Sequence, residues 1–153
     1  MIATTADNVP IMAPAYGQGP QHQPAGNLAV SVNKLSDWQV DTLRKLATFE
    51  LLQANWDSYG SPPPADNVLD FTRNLVAGIT ATGVPAPRVI PISGGGIQLY
   101  WVKGNREIEV KLHSDLTATL LIVENDRILF EGPIPTLGAA MIDAFLLWLD
   151  ASR

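Results

Sequence analysis

The apolar positions of this chain change their period partway along it. Val40, Leu43, Ala47 and Leu51 recur at helical spacing, supported by Leu46 and Ala54, with Glu50 the charged member of the same face. Ser36 stands three residues before Gln39 as in a capping box, while Leu35 and Val40 occupy the two positions of a hydrophobic staple. This spacing predicts a first helix over residues 37–54. Val68, Phe71, Leu75, Val76 and Ile79 repeat the pattern, and Gly83 is placed to stop it, so a second helix is expected to run to about Thr82.

Beyond Pro87 the period falls to two. Ile97, Leu99 and Trp101 alternate with Gln98, Tyr100 and Val102, and Ile108, Val110 and Leu112 alternate with Glu107, Glu109 and Lys111. Turn signals at Gly94-Gly95-Gly96, Gly104-Asn105, Ser114-Asp115 and Asn125-Asp126 separate runs short enough to join as consecutive hairpins. They predict an antiparallel meander of four or five strands. Gly132-Pro133 is expected to break the last strand, and Thr136 to cap a final helix with Leu137, Ala140, Met141, Ala144, Phe145 and Trp148 as its apolar stripe. Two helices, a run of strands and one helix make an α+β order, with no βαβ alternation to suggest a parallel nucleotide-binding sheet.

The residues before this pattern read differently. Pro10, Pro14, Pro20 and Pro24, with Gly17, Gly19 and several glutamines, follow no hydrophobic period. Residues 1–33 are therefore expected to be an arm, disordered or ordered only on a partner, and residues 34–153 a single domain. A chain of 153 residues can bury a core without metal or disulfide staples. Cysteine is absent, which removes thiol nucleophiles and zinc-thiolate sites. No secretory leader pattern and no run of roughly 20 apolar residues occurs, so a soluble, cytoplasmic protein is expected. The net charge of −5 argues against a surface built to collect phosphates, and so against direct nucleic-acid binding. The same charge is what ordinary solubility requires, and it could also suit docking on a partner protein with a basic surface.

The densest chemistry lies in Asn55-Trp56-Asp57-Ser58-Tyr59-Gly60-Ser61-Pro62-Pro63-Pro64. Trp56 and Tyr59 beside Asp57 could form an aromatic shelf for a peptide or a ring-bearing ligand. The same residues also suit a tight corner, with Trp56 plugging the core, Asn55 and Asp57 bonding nearby backbone and Gly60 supplying a positive φ. Tyr100 and Trp101 on one strand, and Glu107 and Glu109 on the next, complete the candidate binding residues. The two glutamates lie two apart and share a face, where they form either a carboxylate pair or a solvated charge ladder with Lys103, Arg106 and Lys111. His22 and His113 have no companion at ligand spacing, so neither metal nor cofactor is expected. The triple glycine leads into a strand and lacks the Lys-Ser/Thr pair and helix of a phosphate loop. No Gly-x-Ser-x-Gly elbow occurs, and no catalytic residue is assigned.

Asn55-Trp56-Asp57-Ser58-Tyr59-Gly60-Ser61-Pro62-Pro63, the later Gly94-Gly95-Gly96-Ile97-Gln98-Leu99-Tyr100-Trp101 and the strand Arg106-Glu107-Ile108-Glu109-Val110 together resemble a family. It consists of small bacterial and phage proteins with an Asn-Trp-Asp-Gly-Tyr-Gly-Ala-x-Pro signature and a later Gly-Gly-(Ile/Val)-x-Leu-x-Trp strand. The likeness spans roughly Leu43 to Val110 and a plain C-terminal helix. It implies an α+β fold and a mobile-element or phage setting, and carries no assigned activity. This chain differs in having Ser58 and Ser61 where glycine and alanine are usual, and Tyr100 where an acidic residue often precedes the strand tryptophan.

Three functions remain open at this level. The first is a non-catalytic protein-binding module, an accessory or inhibitory protein of the anti-defence or antitoxin-like kind. The second is a small enzyme using Asp57 with Glu107 or Glu109 as acid and base, which requires these carboxylates to converge. The third is a structural subunit of a virion or assembly. An excess apolar face on the last helix would also suit a homodimer.

Overall fold

A computed structural model describes residues 34–151, and in it the first helix, α1 (Asp37–Phe49), opens at Ser36 as the capping box requires. The Ser36 amide donates to Gln39 Oε1 at 2.8 Å, meeting one of the donors that every helix start leaves without a partner. The chain divides at Asn33/Lys34, and the expected arm over residues 1–33 lies outside the described residues.

The helix stops at Phe49, short of the expected residue 54, and its buried face is not the one the apolar spacing suggested. Gln39, Thr42, Leu46 and Phe49 point into the core, whereas Ala47 and Leu51 are exposed. Two polar residues on that face disguised it. Gln39 is buried because its amide group donates to the Val76 carbonyl at 2.8 Å and to the Ile79 carbonyl at 2.9 Å. These belong to the end of α2 (Asp66–Gly78), where helix carbonyls lack internal partners. One side chain thus caps the start of one helix and the end of the next.

The second helix also ends early, at Gly78 instead of Thr82. A Cβ on Gly78 would stand 2.9 Å from the Cβ of Ala139, so glycine allows the two helix ends to approach. The amides of Thr80 and Ala81 then leave the helical path and both donate to Asp143 Oδ1 at 2.8 Å, with the Thr80 hydroxyl 2.7 Å from Oδ2.

Five strands follow: β1 (Arg88–Ile92), β2 (Gly96–Lys103), β3 (Arg106–Leu112), β4 (Ala118–Glu124) and β5 (Arg127–Ile134). They form one antiparallel sheet in the order β1-β2-β3-β4-β5, the meander that the four turn signals predicted. Gly132-Pro133 does not break the last strand: both residues lie inside β5, opposite Leu120 and Thr119. An edge strand tolerates proline because the amide it lacks is needed by no neighbour.

The last helix, α3 (Ala139–Asp150), is capped at Gly138 and not at Thr136. Its core residues are Ile142, Leu146 and Leu149, while Phe145 and Trp148 are half-buried at the flank and Ala140 and Ala144 are exposed. The expected stripe was one position out of phase, an error invited by a helix that is apolar nearly all round. All three helices pack on one sheet face, where alternate strand residues from Val89 to Leu120 join them in a single core. Full burial of Trp101, Leu46, Ile108 and Leu146 contributes about 1.5–3 kcal/mol for each aliphatic side chain. Among the described residues no helix packs on the opposite sheet face. Among the described residues no helix is long and apolar enough to cross a membrane.

Candidate functional site

The connection between α1 and α2 folds around one carboxylate. Asp57 Oδ1 accepts the backbone amides of Tyr59 at 2.9 Å and Ser61 at 3.2 Å, and Oδ2 accepts the hydroxyls of Ser61 at 2.6 Å and Ser93 at 3.2 Å. The Ser61 hydroxyl is the main reason that the Asp57 pKa is lowered to about 2, with the two amides and Ser93 acting in the same sense against partial desolvation. A carboxylate has enough lone pairs for all four donors.

Asn55 closes the other side of the corner. Its side-chain oxygen accepts the Gly60 amide at 2.7 Å, and its own amide donates to the Ser61 carbonyl at 2.8 Å. Both Asn55 and Ser58 have φ of 65°, and Gly60 has φ of 85°, so the corner contains three left-handed residues of which one is glycine. The whole segment is then fastened to the β1–β2 turn, where the Ala65 amide donates to the Gly95 carbonyl at 3.1 Å.

Trp56 does not plug the core. It is half-buried at the surface, where its indole N–H donates to the Pro62 carbonyl at 3.0 Å. Tyr59 is 92% exposed, and Leu51, at the other end of the connection, is 77% exposed. The corner is therefore rigid at its base and presents large apolar side chains to solvent, a combination that core packing does not explain.

Trp101 is a core residue with no exposed surface, which removes it from any binding face. Its Nε1 has no hydrogen-bond partner among the described residues. Tyr100, one residue earlier, lies on the helix-free face and donates its hydroxyl to Glu107 Oε2 at 2.7 Å. Loss of that proton would put two negative charges in contact, and the Tyr100 pKa is raised to about 12, chiefly by this hydrogen bond. Glu109 accepts from Gln98 at 2.8 Å and pairs with Lys111 at 2.7 Å. The Tyr100–Glu107 and Gln98–Glu109 contacts run diagonally across the strands, because Tyr100 stands opposite Glu109 and Gln98 opposite Lys111, whereas Glu109 and Lys111 share β3.

Arg106 and Lys103, expected in the same charge ladder, are engaged elsewhere. The Arg106 guanidinium stacks 4.6 Å from the Trp148 ring, donates to the Trp148 carbonyl and pairs with Glu124 at 2.6 Å, while Lys103 pairs with Asp150. These cations hold the end of α3, where helix carbonyls favour positive charge.

The candidate carboxylates fall into separate networks. Among the described residues Asp57 bonds within its corner and to Ser93, whereas Glu107 and Glu109 bond across β2 and β3. A shallow cleft of about 250 Å³ takes in Glu109 with Lys111, Leu121, Glu131 and Gly132, and Asp57 is not part of its wall. Among the described residues no group of three or more His, Asp or Glu side chains is placed to hold a metal ion. Ser93, Ser61 and Leu51 belong to the corner although the sequence reading did not select them. For Ser93 no local signal exists, since its contact spans 36 residues.

No protein-family model matches the chain, and no curated protein or solved structure is significantly similar to it.

Proposed function

We propose that this chain is a non-catalytic protein-binding module whose anchor is the aromatic corner between its first two helices. The observation that supports this reading is the pairing of a 92% exposed Tyr59 with a base fixed by Asp57. A tyrosine held on a preorganised loop offers apolar area and a hydrogen-bonding hydroxyl at small entropic cost, the properties of an interface anchor. The net charge of −5 suits a partner with a basic surface. With the resemblance to small proteins of mobile and phage DNA, this favours an accessory or inhibitory role in a bacterial or phage conflict system.

The test is affinity purification of the intact chain from its native host, eluted along a salt gradient. The reading expects a stoichiometric protein partner that leaves as ionic strength rises, because complementary surface charges are screened. Recovery of the chain alone at low salt would contradict it.

A further inference from the structure

The two edges of the sheet are unlike. Strand β1 is five residues long, carries Pro91 and has α1 packed beside it, all of which discourage further pairing. Strand β5 is eight residues long, pairs among the described residues with β4 alone and has its proline at the next-to-last position. Within it Ile128, Leu129 and Phe130 are 61%, 55% and 41% exposed. A register shift between Ile122 and Val123 leaves Leu129 without an opposite number on β4, so consecutive apolar residues are presented instead of alternating ones. Three exposed large apolar residues in a row on an open edge are a liability unless something covers them.

The surroundings indicate what kind of chain would do so. Glu131, exposed on the same strand, makes no ion pair among the described residues and lines the shallow cleft with Glu109, Leu121 and Lys111, whose charge is taken up by Glu109. Asp126 precedes the strand in its exposed turn, against the single cation Arg127.

We infer that β5 is the docking edge for an extended segment of a partner protein in which apolar residues alternate with lysine or arginine. Added as a sixth strand, the segment takes main-chain hydrogen bonds from the open edge, covers Ile128 to Phe130 with its apolar residues and sets its cations against Glu131 and Asp126. This rests on the reading of the chain as a protein-binding module but uses a surface distinct from Tyr59, so the two can fail separately.

The test titrates the full-length chain with a capped peptide of four Val-Lys repeats, with four Val-Glu repeats as control, and follows backbone amide resonances. Expected are shifts concentrated on Arg127 to Ile134, weakened by salt, with the glutamate peptide binding at least about tenfold more weakly. Leu129→Lys should abolish the shifts while leaving the melting temperature unchanged, and Tyr59→Ala should leave them intact. Equal binding of both peptides, or no shifts on β5, would overturn the inference. So would a full-length dimer that Leu129→Lys converts to monomer, since the edge would then belong to a second copy.

Discussion

Asp57 and Ser93 are 36 residues apart, yet the Ser93 hydroxyl donates to Asp57 Oδ2 at 3.2 Å and joins the helix-helix corner to the first hairpin of the sheet. The corner is not a loop resting on the domain but one built into it. Its stability should therefore follow the charge on Asp57. The folded pKa of about 2 lies below the ordinary 3.8, so the stabilisation is fully present above pH 3.8 and is lost as pH falls towards about 2. Asp57→Asn should lower the urea midpoint at neutral pH and flatten its decline across that window. A variant whose midpoint falls in parallel with the wild type would show that the carboxylate is not responsible.

Ser58 stands at φ of 65°, where a side chain costs about 1–2 kcal/mol and glycine costs only its greater freedom in the unfolded chain. Ser58→Gly should raise stability by about 0.5–1 kcal/mol in chemical denaturation. Gly60→Ala, at φ of 85° with nothing within 4 Å of the added Cβ, should lower it by about 1–2 kcal/mol through backbone strain alone. Equal stabilities for both variants and the wild type would mean that the corner relaxes without these backbone angles.

Gln39→Leu preserves much of the volume but strips partners from the Ser36 amide and the Val76 and Ile79 carbonyls. The loss should be about 2–4 kcal/mol in urea denaturation, larger than for a surface glutamine. A change below about 1 kcal/mol would show that other groups or water replace those bonds without penalty.

What the sequence disclosed and what it hid have physical reasons. The strands were legible because Ile97, Leu99 and Trp101 and then Ile108, Val110 and Leu112 alternate with residues of the other face, and three of the four hairpin turns carry glycine, asparagine or aspartate at their left-handed positions, the β3–β4 turn having Leu116 there instead. The helix faces were less legible. On α1 the core takes Gln39 and Thr42 because the amide of Gln39 finds two carbonyls 37 and 40 residues away, which no local pattern announces. On α3 nearly every position is apolar, so periodicity could not choose between Met141 and Ile142 as the inward residue. Trp101 was selected as a binding residue for its chemistry, although its strand parity already placed it with Ile97 and Leu99 on the core face. The Ile128-Leu129-Phe130 run, which the sequence analysis did not single out, is exposed because β5 is an edge strand.

If Tyr59 anchors a protein partner, calorimetry on purified chains will show it in the dissociation constant of that partner for the wild type and Tyr59→Ala. Because Tyr59 is 92% exposed and its hydroxyl makes no hydrogen bond among the described residues, the variant should match wild-type stability within about 0.5 kcal/mol. The account predicts affinity at least about 30-fold weaker, the ~2 kcal/mol expected of an anchor residue. An unchanged dissociation constant would contradict it.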